Sequence, residues 1–382
     1  MTKLSLVAAL AVSAAFAGGD IAPVEPVVAA PVVDAAACNS NTTINGKLVG
    51  YLYSDDSAGS LFDDESTQLG TAATLDVSHK IVDGITANFT AVGFLNAMKA
   101  PSPYMEGEKR GAFFNVANLT ATYGDTTFIA GRQLLDTPML GGFDWLLAPG
   151  AFEAYTVANS SISNVTLVGS YVAKYRANNT GDNFVNLTDI DDGNNWTVGA
   201  AYSDAFDASV WYYNVDAGIA VSADKYTQIY ADAGVEFSGI NLAAQFVNTD
   251  YDTAEDSTAY GVKASTTVSG FDLMAAYNNI SDNTTGYIGR DSLYASSWNT
   301  FASNSVGDAF KVEAGTEFSG LSATASYAYY AYDQVNDEGS EIDVILGYGI
   351  TDCISVDAIY SNTDYGLGDD INALELIATY KF

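Results

Sequence analysis

Carboxylates are the most abundant reactive side chains in this sequence, and their clustering raises the question of acid–base catalysis. Two carboxylates on either side of a scissile bond are the arrangement that glycosidases use. Such a pair must be fixed on a rigid wall, whereas the densest cluster lies in a polar stretch that reads as a loop without an aromatic platform. This cluster consists of Asp55, Asp56, Asp63, Asp64 and Glu65. The sequence therefore predicts no catalytic residues and no enzyme activity.

Residues for metal-dependent or nucleophilic chemistry are scarce. His79 is the only histidine, and the only cysteines, Cys38 and Cys353, lie too far apart for a zinc or Cys-x-x-Cys motif. The acids of segment 189–192 resemble a fragment of a calcium loop, but the terminal glutamate of an EF-hand is absent and the flanks are not helical. We therefore predict no metal site and no cofactor.

The charge balance identifies the expected ligands. The chain has 14 Lys and Arg against 47 Asp and Glu, which gives a formal net charge of −33. Nucleic-acid binding requires clustered cations to neutralise phosphates, so we exclude nucleic acid as a partner. Cations are therefore the expected ligands.

The N-terminus has the form of an export signal. Lys3 precedes an apolar run, and Ala15-Phe16-Ala17 matches the small-x-small pattern that signal peptidase cleaves. We expect residues 1–17 to be the signal peptide. Segment 18–43, rich in Pro, Val and Ala, is expected to be an extended periplasmic segment.

From residue 44 onward the chain repeats segments of roughly 9 to 11 residues in which apolar and polar side chains alternate. In segment 310–318, for example, Phe310 and Val312 would face lipid while Lys311 and Glu313 would face a watery lumen. Aromatic residues recur at the ends of these segments, as expected for the two girdles of a transmembrane barrel. The alternation predicts membrane-spanning strands.

Connection lengths alternate as well. Short turns share a Ser-Gly form at 238–239, 269–270 and 319–320, where glycine supplies the positive φ of a tight hairpin. The other connections are long and polar. We predict an all-β, antiparallel transmembrane barrel over residues 44–382, with about eighteen strands and sixteen as the alternative, short periplasmic turns and long outer loops. A barrel of this size encloses an aqueous channel.

The C-terminal segment also alternates apolar and polar residues. The last alternating strand ends with Tyr380 and Phe382 on one face. A terminal aromatic residue on such a strand resembles the signal that the outer-membrane assembly machinery recognises. We expect that machinery to be a partner.

A more specific resemblance lies in Gly131-Arg132-Gln133, Thr137-Pro138-Met139-Leu140, Asp144, Pro149 and Phe152-Glu153-Ala154. This stretch is similar to the strand and inward-folded third loop of the substrate-specific porins of pseudomonads and of the major outer-membrane porins of campylobacter-like bacteria. The resemblance implies eighteen strands, an inward loop over 136–151 and a homotrimer. Pseudomonad members guide carboxylate solutes with a ladder of basic residues, and the low Lys and Arg content here favours a general porin.

The predicted pore constriction surrounds this loop. Opposed charges at a narrowing create a transverse field that orients solutes and selects ions. Alternatively, Arg132 pairs with a loop carboxylate and holds the loop in place. The predicted constriction residues are Arg132, Asp136, Asp144, Glu153, Lys174 and Arg176.

One covalent link is also predicted. Cys38 precedes the first strand and Cys353 lies in a predicted periplasmic turn near the closing seam, so the two cysteines can form a disulfide. Mass spectrometry of protein isolated without reductant should find them bonded. Two free thiols would contradict the prediction.

Taken together, these features predict a porin of the Gram-negative outer membrane, in contact with membrane lipid and lipopolysaccharide. It would form a cation-preferring, water-filled channel for passive diffusion of small hydrophilic solutes. A substrate-selective channel of the same fold is the alternative.

Overall fold

The computed structural model describes residues 41–98, 106, 109–143, 146–187, 194–216, 224–333, 335, 337–366 and 368–382. Eighteen antiparallel strands form one closed sheet, which confirms the predicted fold class. Each strand pairs with its neighbours in the chain, and the first pairs with the last from Lys47 beside Lys381 to Asp55 beside Ala373. The strands are β1 Thr42–Asp55, β2 Thr67–Val82, β3 Ile85–Asn96, β4 Arg110–Tyr123, β5 Thr126–Gln133, β6 Ala151–Asn159, β7 Val165–Arg176, β8 Trp196–Ser203, β9 Asp207–Val215, β10 Tyr226–Phe237, β11 Ile240–Tyr251, β12 Ser257–Val268, β13 Phe271–Ser281, β14 Gly307–Phe318, β15 Leu321–Tyr332, β16 Asp337–Thr351, β17 Ile354–Asp364 and β18 Ile371–Lys381.

Minor elements lie in the loops. Val185–Asn186 extends the sheet beside β7, Asp136–Thr137 pairs with Leu140–Gly141, and Ala302–Asn304 is a short 3₁₀ helix. Among the described residues, no helix is long and apolar enough to cross a membrane.

The predicted Ser-Gly turns are confirmed. Ser238 and Gly239 have φ values of 55° and 79°, and the turns at 269–270 and 319–320 have the same pair of positive angles. Two successive positive φ angles define the type I′ turn, whose twist matches that of the flanking strands. These short turns therefore set the register of β10–β11, β12–β13 and β14–β15.

Alternation sorts the side chains between two faces. Outward positions carry exposed apolar side chains such as Phe310 and Val312, at 43% and 50% exposure, while Lys311 between them is buried. Aromatic rings lie at the strand ends beside the short turns, for example Tyr123, Phe237 and Phe318. The outer surface therefore has the apolar band and ring girdle that lipid requires.

Several strands are longer than the sequence pattern indicated. The prediction of 9 to 11 residues is wrong for β2, with 16 residues, and for β16, with 15 residues. Alternating hydrophobicity reports only the part of a strand that crosses the bilayer, since the part beyond it needs no apolar face.

Candidate functional site: the barrel lumen and its two inward loops

The inner wall of the barrel is acidic. Inward residues alternate along each strand with exposed outward residues. Among the described inward residues, acids outnumber basic residues. The inward acids include Asp76, Asp232, Glu313, Glu341, Asp343, Asp357 and Glu375, and the inward basic residues include Lys47, Lys263, Lys311 and Lys381. Negative charge therefore predominates among these inward ionisable side chains.

The first inward loop, residues 134–150 without the undescribed 144–145, connects β5 to β6 and contacts opposite parts of the wall. The backbone N–H of Met139 donates to the Tyr213 hydroxyl on β9 at 3.2 Å. At its other end, Leu147 and Ala148 pack with Tyr51 and Phe113 of β1 and β4. These contacts carry the loop from one side of the lumen to the other.

The second inward loop, residues 282–306, connects β13 to β14 and was expected at the outer face. Its side chains are instead largely buried against inward residues of the wall. The Trp298 indole N–H donates to Glu375 Oε1 at 2.7 Å, and the backbone N–H of Asn299 donates to Glu341 Oε1 at 2.7 Å. Tyr51 of β1 also donates to the Glu375 carboxylate, so a neighbouring strand positions the acceptor of the Trp298 hydrogen bond.

The two loops are joined to each other. Gly141 donates its N–H to Ile288 O and Ile288 donates to Met139 O, both at 3.0 Å, so that Leu140 and Ile288 form a parallel bridge. Next to this bridge, Arg290 donates to Asp136. The Arg290 and Asp136 side chains are 23% and 35% exposed, so this ion pair still contacts water. The joined loops narrow the lumen, and an opposed pair of charges lies at the junction.

One acid inside the second inward loop, Asp291, is buried. Asp291 accepts hydrogen bonds from the Ser296 hydroxyl at 2.8 Å and from the Ser303 N–H at 3.0 Å. Burial raises the pKa of the Asp291 carboxyl, and the Ser303 and Ser296 hydrogen bonds oppose that rise. Asp291 therefore organises the loop from within.

The six residues predicted for the constriction do not form one cluster. Arg132 lies on the same strand face as the exposed Phe128, pairs with Asp182 at 2.9 Å and stacks on the Phe184 ring at 4.0 Å. The carboxylate paired with Arg132 thus belongs to the loop after β7.

Glu153 and Lys174 share the outward face with Arg132. The strand register places Glu153 beside Arg132, and the Lys174 ammonium lies 3.4 Å from the Glu153 carboxylate. Asp136 lies in the lumen at the loop junction, as described above. Asp144 lies outside the described residues.

Arg176, the last residue of β7, is the centre of a buried cluster formed with residues of the adjoining loops. Its guanidinium pairs with Glu106, and both side chains are fully buried. Arg176 also donates to Pro149 O at 3.1 Å and stacks on the Phe113 ring at 4.2 Å. Burial raises the pKa of Glu106, although the nearby Arg176 charge opposes this. The cluster fastens three loops to one another.

At the seam, Phe382 exchanges backbone hydrogen bonds of 2.8 and 2.9 Å with Gly46, and its ring stacks on Tyr380 with 5.9 Å between centroids. Both rings point outward. Cys353 lies in the β16–β17 turn, whereas Cys38 lies outside the described residues, so the disulfide stays a prediction.

Sequence reasoning missed the anchors of the second inward loop. Alternation alone places Glu341, Asp343 and Glu375 on the inward face, which is the signal that was available. No sequence pattern connects them to Trp298 or Asn299, because hydrogen bonding between a loop and distant strands depends on tertiary structure.

The fold has well-matched relatives among solved structures. OpdK, an outer-membrane protein of Pseudomonas aeruginosa, has a TM-score of 0.74 at 14% identity, covering 89% of this chain and 98% of its own. A BenF-like porin of Pseudomonas fluorescens has a TM-score of 0.76 at 12% identity, with 90% and 99% covered. OccAB4 of Acinetobacter baumannii has a TM-score of 0.74 at 16% identity, with 90% and 100% covered.

OpdK has also been solved with vanillate, and that structure has a TM-score of 0.75 at 15% identity, covering 89% of this chain and 98% of that one. No protein-family model matches the chain, and neither does any curated protein. At these identities the likeness is one of architecture. The chain therefore has the fold of the eighteen-stranded outer-membrane porins of Pseudomonas.

Proposed function

We propose that this chain is an outer-membrane porin, a channel without enzyme activity through which small hydrophilic solutes diffuse passively with a preference for cations. The observation that carries the proposal is the closed eighteen-stranded barrel whose inner wall is polar and acidic. An apolar outer band and a polar interior are what a channel in a bilayer requires. The excess of inward acids supports the cation preference.

A substrate-selective channel of the same fold is the second candidate. It is supported by the two joined inward loops, because a narrowing lined with fixed charges and hydrogen-bonding groups discriminates among solutes. OpdK, which shares the fold, was solved with vanillate. Saturable uptake of one solute into reconstituted vesicles, with uptake of a similar-sized solute remaining linear, would favour this candidate.

Conductance across a planar bilayer tests the channel directly. We expect discrete current steps, and we expect replacement of residues 283–305 by a short Gly-Ser linker to raise the single-channel conductance about twofold or more, because the second inward loop occupies lumen cross-section. A matched control replaces residues 57–64 of the β1–β2 loop, which are largely exposed to water.

The control loop should leave conductance nearly unchanged. Absence of steps would overturn the channel, and equal conductance in both variants would overturn the role of residues 282–306.

The remaining assignments are also proposals. Membership of the campylobacter-like branch, a homotrimer, contact with lipopolysaccharide and recognition of the C-terminal Tyr380 and Phe382 by the assembly machinery all rest on the sequence resemblance. An outer-membrane location of a Gram-negative bacterium is supported by the shared architecture.

A further inference from the structure

Charged side chains interrupt the apolar outer band of the barrel on β5, β6 and β7. Arg132, Glu153 and Lys174 occupy outward positions on these three adjacent strands, and the strand register places Glu153 directly between the two basic residues. All three side chains are partly exposed, so the chain itself covers them only in part. These three residues are called the charged row below.

The charged row lies at a height where another strand faces the hydrocarbon of the bilayer. Arg132 is six residues from Thr126, the first residue of β5 after its short turn, so at most about 20 Å of strand separates them. The apolar band of a barrel is about 25 Å tall, and the charged row therefore lies inside it. On β14 the position equally far from its short turn is the exposed Val312, and the exposed Phe310 follows it. Because Arg and Lys that face lipid destabilise a barrel, the charged row requires cover other than hydrocarbon.

Lipid phosphates do not account for the charged row either. The Lys174 ammonium lies 3.4 Å from the Glu153 carboxylate, and the Arg132 guanidinium lies 2.9 Å from the Asp182 carboxylate. The charges of these four side chains sum to zero, so they offer no surplus positive charge to an anionic headgroup. A row with alternating signs is instead complementary to the same row on another copy, because a rotation of that copy places basic residues opposite acids.

A groove lies on the neighbouring part of the same outer surface. It has a volume of about 760 Å³ and crosses the outer side of β18, β1, β2 and β3. Small residues line it and are neighbours in the strand register, with Ala378 and Thr71 on either side of Gly50 and with Ala73 beside Gly93. The groove therefore differs from the rest of the apolar band in having small side chains where the band has bulky ones.

The packing of the chain itself does not require glycine in this groove. A Cβ atom added to Gly50 or to Gly93 would meet no further atom within 4 Å, and neither residue has a positive φ angle. Both glycines alternate along their strands with exposed leucines, Leu48 and Leu95, so the open space lies outside the barrel. Small residues on a surface within the membrane let the backbone of a second protein approach closely. The groove thus has the form of a contact surface.

We propose that the outward face from β18 through β1 to β7, called the contact face, binds a second copy of this chain. The groove receives the wall of the neighbouring barrel, and the charged row meets the charged row of that copy instead of hydrocarbon. The two features are continuous, because only β4 separates them and Ala117 of β4 is the register neighbour of Arg132. Lipid chains alone would fill the groove but would form no hydrogen bonds with the charged row. The inference rests on the proposed outer-membrane function and assigns a face to the proposed homotrimer.

The test measures the mass of the full-length protein in mild detergent by light scattering after size-exclusion chromatography. We expect the wild type to be an assembly of identical chains and Ala130→Trp to weaken association about tenfold or more, because the added ring holds the two walls apart. Ala130 is exposed on β5 between Phe128 and Arg132. The matched control Ala314→Trp adds the same ring at an exposed outward position of β14, outside the contact face, and should keep the wild-type mass.

A second variant tests the groove without crowding the chain itself. Gly50→Leu/Gly93→Leu places side chains in the open space of the groove, so the barrel should fold while association weakens by a similar factor. Single-channel current steps in a planar bilayer show that each variant has folded. Loss of current steps in proteins that remain assembled would contradict the proposed channel and leave the contact face intact.

Three outcomes would overturn the contact face. One is a wild type that is a single chain, and another is a wild type whose assembly contains a different polypeptide in place of a second copy. The third is an equal loss of association in Ala130→Trp and Ala314→Trp, or no loss in Ala130→Trp and Gly50→Leu/Gly93→Leu, since either result would place the contact elsewhere on the barrel.

Discussion

Replacing three inward acids of the barrel wall by their amides should lower the ratio of cation to anion permeability by about three- to tenfold. The variant is Asp76→Asn/Glu313→Gln/Asp357→Asn. These side chains are partly exposed, so they are in contact with the water of the lumen. Charges surrounded by a low-dielectric wall act on every ion that passes, whereas charges on outer loops are screened within about 8 Å at physiological salt. The reversal potential under a salt gradient measures the change.

A matched control removes three acids from the exposed outer loops. In Asp64→Asn/Glu65→Gln/Glu255→Gln the net charge changes by the same amount, but all three positions are exposed. The control should shift the reversal potential little at physiological salt and somewhat more at low ionic strength, where screening is weaker. If the control shifted it as much as the wall variant, net charge rather than position would set the selectivity.

The second large effect concerns stability. Arg176→Met should lower the free energy of unfolding by about 3–5 kcal/mol, because it leaves the fully buried Glu106 carboxylate without its counter-charge. It also removes the bond to Pro149 O and the stacking on Phe113. Urea-induced unfolding in lipid vesicles measures the loss. Faster proteolysis of the outer loops should accompany it, since Arg176 holds them together.

Arg132→Met provides the comparison. Arg132 also pairs with a loop acid and stacks on a ring, but its side chain and that of Asp182 are 26% and 56% exposed. Exposed pairs contribute about 0–1 kcal/mol, so this variant should be nearly as stable as the wild type. In addition, Arg176→Met/Glu106→Gln should be more stable than Arg176→Met alone, because no buried charge is left unpaired. Equal losses in Arg132→Met and Arg176→Met would contradict the role of burial.

The barrel follows from local patterns in the sequence. The side-chain period of two decides which residues face lipid, and the Ser-Gly turns decide the register of three hairpins. That period alone places Phe310 and Val312 on the outer face of the barrel and Lys311 and Glu313 on the inner face. Alternation marks only the bilayer portion of a strand, which is why the lengths of the longest strands, β2 and β16, were underestimated while the number of strands was right.

The contents of the barrel lumen depend on contacts between distant parts of the chain. The position of the second inward loop is one example. The Trp298–Glu375 hydrogen bond joins residues 77 positions apart in the sequence, the Arg176–Glu106 pair joins residues 70 apart, and the Arg290–Asp136 pair joins residues 154 apart. Such contacts leave no local periodicity, since a polar loop has the same composition whether it extends into water or turns into the lumen. Its position is decided by which distant carboxylates, hydroxyls and carbonyls can satisfy its buried donors, and the folded barrel alone brings these groups within reach of one another.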